Sequence, residues 1–411
     1  MLGRPAAWFV HLRQRIGGEV LALCAVIFIA DILAGLILSS FSVYAREIGI
    51  SLAVIGALTT VAGFFQLGAS LPIGLLSDTI GRARVLQAGM LAFTLAMLSL
   101  ALVPSVAQLL VARILFVLAG IAVFQIGTAH LGDLTTPAQR PTAFGLLTTA
   151  MGLGFAVGPF LGGQIADRYG YATAYLVGAF LGAIGLILAI RTLHSRIGGR
   201  IAAPRAASTL RAGMQQMFSQ PQLLLVTFGN MLVSLTFAGA VTTFFPLYGR
   251  ELLFTQAVIG SMFAIRAVVS TIGRFPNGAL SRRFGSQPVM LGAILINIVA
   301  MFGIAMTDSP VLLATLLALE GLAFGGYLVA GQTYLADHTT AEIRGTAVGI
   351  YATASGIGGA FAPLLLGTVA EHWGLPAVFL TTGWVLTIGF VICLAGALML
   401  RRSRQMGKET V

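Results

Sequence analysis

The sequence predicts an all-α membrane protein with twelve transmembrane helices in two six-helix halves. Of the 411 residues, 57% are hydrophobic and only 9% are charged, whereas about 25% charged residues is typical of a soluble domain. Apolar runs of about 20 residues recur along the chain, and each is long enough to cross a hydrocarbon core as a helix. The second half also repeats the first without insertion or deletion.

The apolar runs define six spans in each half, and an even number of spans places both termini on the same side of the membrane. The predicted spans lie at about 19–41, 52–75, 85–103, 108–131, 143–164, 172–191, 222–245, 256–279, 288–306, 311–334, 346–368 and 376–400.

The repeat has a constant offset. Asp133 corresponds to Asp337 and Pro159 to Pro363, so both pairs are 204 residues apart (337 − 133 and 363 − 159). We therefore predict an N-terminal half over 1–195, a cytoplasmic linker over 196–220 and a C-terminal half over 221–411. In the linker region, one apolar face of a short surface helix is predicted from Leu210, Met214, Met217 and Phe218.

The basic residues indicate the orientation. Eighteen of the 24 Lys and Arg residues lie on the side of the termini, whereas only Arg46, Arg168 and Arg250 lie on the opposite side. The positive-inside rule then makes both termini cytoplasmic. This asymmetry and anionic lipid account for the net charge of +11, so a nucleic-acid partner is not needed.

Signatures of enzymes and metal sites do not occur in the sequence. There is no phosphate-binding G-x-x-x-x-G-K-[ST] loop, and the single lysine is Lys408. Motifs of the types H-E-x-x-H, C-x-x-C and G-x-S-x-G are also missing, and Cys24 and Cys393 lie in apolar spans. We expect no catalysis, no metal and no cofactor, with a proton gradient as the energy source.

The connection between the second and third spans carries the motif Gly74-Leu-Leu-Ser-Asp78-Thr-Ile-Gly81-Arg82-Ala-Arg84. It resembles the G-x-L-x-D-x-x-G-R-x-R signature of the major facilitator superfamily. The resemblance implies that Asp78, Arg82 and Arg84 act in gating, with Gly74 permitting close helix contact and Gly81 a sharp turn. The alternative is a charged turn that only anchors the topology.

A second motif lies in the fifth span. Gly154, Gly158 and Gly162 are spaced at i, i+4 and i+8 on one helix face, and Pro159 bends the helix. The stretch resembles the G-x-x-x-G-P-x-x-G-G motif that the superfamily's drug and metabolite antiporters share. A tightly packed, kinked helix without a functional role is the alternative.

Ionisable residues inside the spans are the main candidates for a functional site. Asp31, Arg266 and Glu320 approach the middle of their spans, and Arg113 is shallower. A charge there costs about 3 kcal/mol, so all four side chains should face protein or water. The resemblance places the first, fourth, seventh and tenth spans around a central cavity, and it implies a switchable Arg113–Glu320 pair across that cavity.

In this hypothesis Asp31 and Glu320 exchange protons and Arg113 tunes their proton affinity. The alternative is that each residue is a fixed interhelical contact, and Arg266 belongs to a span that the superfamily uses for gating. Further polar residues are possible cavity groups whose orientation stays open: Gln66, Gln125, Asn230, Tyr327, Gln332 and Tyr351.

The resemblance implies a monomeric secondary transporter in the cell inner membrane that works by alternating access, with membrane lipid and protons as partners. Proton-coupled efflux of a small amphipathic or drug-like molecule, as in multidrug antiporters, is the first expectation. A carrier of an anionic metabolite, with Arg113 and Arg266 as ligands, is the second. A non-transporting membrane receptor or assembly factor is a third, from another class.

Overall fold

A computed structural model describes residues 17–102, 105–194, 214–215, 219–340 and 344–409. The transmembrane helices are α1 (Gly18–Glu47), α2 (Leu52–Ile80), α3 (Arg82–Leu102), α4 (Val106–Leu134), α5 and α6 (both within Arg140–Thr192), α7 (Pro221–Glu251), α8 (Gln256–Phe284), α9 (Ser286–Ala305), α10 (Pro310–His338), α11 (Arg344–Trp373) and α12 (Leu375–Glu409). All are apolar enough to cross a membrane.

One glycine separates α5 from α6. The helical segment Arg140–Thr192 is 53 residues long, but Gly170 inside it has φ 83° and ψ 163°. This left-handed backbone conformation is open to glycine because it lacks a Cβ. The segment therefore contributes two spans, 140–169 and 171–192. The described residues form twelve transmembrane helices, as predicted.

Two helices contain π-helical stretches. In α4 the stretch is Ile121–Gln125, and in α7 it is Leu235–Phe244. A π-helical turn inserts an extra residue and rotates the side chains that follow it. In α7 the stretch carries Phe237, which lies over Arg266.

The helices form two compact units. The first contains the described residues within 1–48, 68–201 and 255–264, and the second contains those within 49–67, 202–254 and 265–411. Each unit contains one segment from the other half of the sequence, 255–264 in the first unit and 49–67 in the second. The first turns of α8 belong to the first unit, and the first turns of α2 belong to the second.

Most of the predicted linker over 196–220 lies outside the described residues. Leu210, Met217 and Phe218 fall in that part. Met214 is described, and it is helical and exposed.

Candidate functional site

A buried ion pair joins α8 and α10 in the second unit. Arg266 is 2% exposed and Glu320 is 0% exposed. The Arg266 Nη2 donates to Glu320 Oε1 at 3.0 Å, and its Nε donates to Oε2. The backbone of α10 comes close to Arg266 because the next residue is Gly321, where a Cβ would lie 2.6 Å from the Arg266 carbonyl oxygen. Both Glu320 oxygens are thus bound by Arg266.

Two aromatic rings enclose this ion pair. The Arg266 Cζ lies 4.4 Å from the ring centroid of Phe237 and 5.4 Å from that of Phe324. The two rings are 4.8 Å apart. A guanidinium over aromatic faces gains about 2 kcal/mol when it is desolvated. The charges therefore have a counter-ion and aromatic neighbours within the unit, as expected of ionisable groups inside a membrane.

Arg113 has similar aromatic neighbours in the first unit. It is 7% exposed, and its Cζ lies 4.5 Å from the ring centroid of Phe41 and 5.5 Å from that of Phe116. The repeat offset relates Phe116 to Glu320 (320 − 116 = 204). The first half thus places a phenyl ring where the second half places a carboxylate.

Asp31 is buried in α1 beside the glycine face of α5. A Cβ at Gly154 would lie 2.7 Å from the Asp31 Cβ, and a Cβ at Gly158 would overlap the Ile32 carbonyl group. At Gly162 it would lie 2.7 Å from the Leu36 side chain. The three glycines therefore let the α5 backbone rest directly on α1. As a result, Asp31 lies against a helix backbone.

Nine residues after Asp31 in α1, Ser40 forms a buried polar contact that sequence reasoning missed. The Tyr175 hydroxyl and the Ser40 Oγ are 3.0 Å apart, and the Ser40 Oγ also donates to the Leu36 carbonyl at 2.6 Å. Tyr175 is fully buried. Its position in α6 follows no motif, so only the tertiary packing identifies it.

The predicted gating motif forms a charged network at the end of α4. Arg82 donates to the Ala129 carbonyl at 2.6 Å, and its Nη atoms lie 2.9 Å from Asp133 and 3.6 Å from Asp78. Arg84 makes a weaker local contact with the Ile80 carbonyl at 3.3 Å. Arg82 is thus the centre of the network, and its additional partner Asp133 comes from the repeated motif.

Within the same motif, the two glycines have different surroundings. Gly81 has φ 98° and makes the turn into α3, as the resemblance implies. A Cβ at Gly74 would meet no atom within 4 Å. The close helix contact expected at Gly74 is therefore wrong for this structure, because α2 has open space there.

The remaining polar candidates fall into two groups. Asn230 donates to the Tyr351 carbonyl at 3.0 Å, and the Tyr327 hydroxyl donates to the Val226 carbonyl at 2.8 Å, so these buried side chains tie helices of the second unit together. The exposed group consists of Gln66, Gln125 and Gln332. His130, near the end of α4, is 5% exposed.

The chain matches the Major Facilitator Superfamily over residues 23–253 and 226–410. It belongs to this superfamily. Among curated proteins it resembles the multidrug resistance protein MdtG of Dickeya zeae (strain Ech586), with 28% identity over 341 residues that cover 81% of this chain and 82% of that protein. MdtG of Klebsiella pneumoniae (strain 342) is 26% identical over 341 residues, covering 80% of each chain.

Solved structures show the same fold. A crystal structure of the nucleoside transporter NupG, as the D323A mutant, superimposes with a TM-score of 0.80 at 16% identity, covering 92% of this chain and 100% of that one. An inward-facing bacterial homologue of the human lysosomal transporter Spinster superimposes with a TM-score of 0.75 at 16% identity, covering 93% and 96%. The chain is a multi-pass membrane transporter of small-molecule substrates and not an enzyme.

Proposed function

We propose that the chain is a proton-coupled antiporter that exports a small amphipathic or drug-like molecule by alternating access. In this proposal it works as a monomer in the inner membrane, with both termini cytoplasmic and the proton gradient as its energy source. The multidrug resistance relatives support the substrate class. The observation that carries the coupling is a carboxyl group, Asp31, buried in α1 beside the glycine face of α5.

The two candidate acids are not equivalent. Glu320 is bound by Arg266 through both oxygens, so protonating it would leave a buried guanidinium without its counter-ion. Breaking a buried ion pair in this way costs about 3 to 5 kcal/mol. We propose Asp31 as the proton carrier because its carboxyl group is buried against the glycine face of α5. Glu320 takes a proton only in a state where Arg266 has found another partner.

The position of Asp31 also connects its charge to helix movement. The α5 backbone rests on α1 at Gly154 and Gly158, on either side of the Asp31–Ile32 segment. A charged carboxylate and a neutral carboxyl group differ in the hydration that they need. Loss or gain of a proton at Asp31 therefore favours a different α1–α5 separation, and this difference is what couples the proton to the transport cycle.

The anion-carrier alternative is less well supported by the geometry. It requires Arg113 and Arg266 as ligands, but Glu320 already binds both the Nε and the Nη2 of Arg266. An incoming anion would have to displace a bidentate carboxylate. Arg113, with Phe41 and Phe116 on its guanidinium, remains the better placed of the two for such a role.

The test is substrate-driven proton movement in sealed proteoliposomes with an imposed pH gradient, across a panel of lipophilic cations and organic anions. We expect lipophilic cations to dissipate the gradient in the wild type, and Asp31→Asn to abolish this while substrate binding persists. Glu320→Gln should reduce the rate and leave coupling in place. Asp308→Asn, at an exposed acid in the connection between α9 and α10, is the matched control and should behave as the wild type.

Other outcomes would reject the proposal. Gradient dissipation by organic anions alone, lost in Arg113→Ala, would favour the anion carrier. Binding of panel compounds without any movement across the bilayer would favour a receptor. Proton movement that survives in Asp31→Asn would exclude Asp31 as the carrier.

A further inference from the structure

A groove in the second unit runs between α8, α9 and α10. It has a volume of about 250 Å³ and follows α9 from Pro288 to Ile296. At about 1.5 Å per residue, the eight residue steps (296 − 288) cover about 12 Å of the helix axis. The groove therefore extends over most of one leaflet of a hydrocarbon core that is about 30 Å thick. Its wall is apolar apart from the amide group of Asn277.

The first unit fills the corresponding space with side chains. An apolar cluster there consists of Ile73, Val85, Ala122 and Ile126. At the repeat offset of 204 these positions hold, in the same order, Asn277, Val289, Gly326 and Ala330. Three of the four side chains are therefore smaller or polar in the second unit. Because protein interiors are otherwise closely packed, the loss of these apolar groups accounts for the groove.

The back of the groove is closed, and its wall along α9 is open. A Cβ at Gly273 in α8 would lie 2.4 Å from the Leu322 side chain of α10, and a Cβ at Gly326 in α10 would lie 2.9 Å from the Asn277 amide nitrogen of α8. By contrast, a Cβ at Gly292 in α9 would meet no atom within 4 Å. An alkyl chain can therefore lie along α9 without displacing a side chain.

Two arginines stand at the mouth of the groove. Phe284 lines the groove at the end of α8, and the exposed Arg282 and Arg283 directly precede it. The Arg283 Cζ lies 5.2 Å from the Phe284 ring centroid. Neither arginine forms an ion pair with any residue that the structure describes. Because α8 ends on the side of the termini, these charges lie at the membrane surface on that side.

The charges at this mouth differ from those at the same place in the first unit. There, Arg82 is bound between Asp78 and Asp133. At the repeat offset the second unit has Arg282, Ser286 and Asp337 in the positions of Asp78, Arg82 and Asp133. One carboxylate, Asp337, thus stands against two arginines. The mouth has a net positive charge, and basic groups at the end of a transmembrane helix attract anionic lipid.

We propose that this groove binds one anionic phospholipid, with an acyl chain along α9 and the phosphate on Arg282 and Arg283. Guanidinium groups suit phosphate oxygens because they donate hydrogen bonds in pairs. The apolar stems of long basic side chains lie along apolar surface while their charged ends reach the headgroups. The same positive charge disfavours a lipophilic cation in the groove. The inference depends neither on proton coupling nor on the proposed substrate.

The test is photo-crosslinking with phosphatidylglycerol that carries a diazirine in one acyl chain. The full chain is placed in nanodiscs of phosphatidylethanolamine containing this probe, and peptide mass spectrometry locates the crosslinks. We expect crosslinks at Gly292 in α9 and Leu322 in α10 on the order of tenfold above those at their counterparts Ala88 and Leu118. Unlabelled phosphatidylglycerol should displace the probe, whereas added phosphatidylethanolamine should not.

The arginines are tested by removing their charge. Arg282→Gln with Arg283→Gln should weaken displacement by phosphatidylglycerol about thirtyfold, at about fivefold for each basic residue. Arg191→Gln, at an exposed arginine near the end of α6 on the same side, is the control and should leave displacement unchanged. Equal displacement by the two phospholipids, or no effect of the double variant, would overturn the assignment of an anionic headgroup.

The groove itself is tested by filling it. Gly292→Phe should abolish the crosslinks at Leu322, whereas Gly145→Phe, at another glycine with open space, should keep them. If Gly292→Phe fails to fold, a triple variant copies the cluster of the first unit: Asn277→Ile, Gly326→Ala, Ala330→Ile. Crosslinks that persist in a folded, filled variant would overturn the site.

Two further results would also reject the proposal. Even labelling of all exposed helix faces would show ordinary contact with bulk lipid. Displacement by free oleate but not by phosphatidylglycerol would show a fatty-acid site instead. Because the samples contain neither a substrate nor a pH gradient, failure of the antiport proposal leaves this test intact.

Discussion

Removing one partner of the Arg266–Glu320 pair should destabilise the protein strongly, and removing both should not. In Arg266→Met the buried Glu320 loses its counter-ion, which costs about 3 to 5 kcal/mol. The same change removes the guanidinium from the faces of Phe237 and Phe324, which adds about 1 to 2 kcal/mol. Glu320→Gln should cost less, since the glutamine oxygen still accepts a bond and the rings still face the cation.

The double variant Arg266→Met, Glu320→Leu is the decisive sample. Apolar replacement of a whole buried pair is often neutral or stabilising, so we expect recovery to within about 1 kcal/mol of the wild type. That recovery would restore about 3 to 6 kcal/mol of the roughly 4 to 7 kcal/mol that Arg266→Met costs. The result depends on the pair being enclosed, as the 0% exposure of Glu320 indicates.

Thermal stability of purified protein measures these effects. The fraction that stays monodisperse on size exclusion after heating should fall at a temperature lower by on the order of 10 °C for Arg266→Met. Arg282→Met, an exposed arginine in the same helix, should shift it by less than about 2 °C. If the double variant is as unstable as Arg266→Met, the pair is not the source of the effect, and the reasoning fails.

Three further predictions concern single residues. Gly158→Ala should lower the free energy of unfolding by about 1 to 3 kcal/mol, because its Cβ would overlap a carbonyl group. Gly145→Ala in the same helix is the control, and it should be tolerated because a Cβ there meets open space. Thermal melting curves of the two variants test this prediction. Gly170→Ala should cost about 1 to 2 kcal/mol in the same assay, because the backbone there is left-handed although its Cβ would meet nothing within 4 Å. Arg82→Ala should slow transport in proteoliposomes more than Arg84→Ala, with stability changed by less than about 1 kcal/mol in each; equal rates would contradict a central role for Arg82.

The helices and their order could be predicted because lipid imposes a simple rule on sequence. A span must be about 20 apolar residues long, and the repeat confirms each span by a second copy. The helices extend several residues beyond most predicted spans, as at α1 (Gly18–Glu47, predicted 19–41). The length of an apolar run reflects the thickness of the hydrocarbon core of the membrane. A helix continues beyond that core into the headgroup region until a residue such as Gly81 or Gly170 ends it.

For the candidate site, the sequence predicts which residues are buried but not which side chains they contact. Burial of Asp31, Arg113, Arg266 and Glu320 follows from the high cost of charge in lipid. Their partners do not follow, because side chains 54 residues apart meet only through the α8–α10 crossing. The hydrogen bonds that Asp167 accepts from the first backbone N–H groups of α8, and Glu371 from those of α2, were missed for the opposite reason. At helix ends the two carboxylates look like ordinary solvated charges, and their backbone partners leave no trace in the sequence.

The repeat also separates two kinds of polar residue. The carboxylates Asp167 and Glu371 and the prolines Pro159 and Pro363 occur at corresponding positions in both halves.

The ionisable residues within the spans have no such counterparts. At the repeat offset Asp31 corresponds to Leu235, Arg113 to Leu317, Arg266 to Ala62 and Glu320 to Phe116. Both Arg266 and Glu320 correspond to apolar residues in the first half. The second half therefore has the complete ion pair, and the first half has neither of its two residues. Since an unmatched buried charge is costly, this joint presence indicates that the two residues act as one unit. The two halves therefore differ in the charges that they bury within the spans.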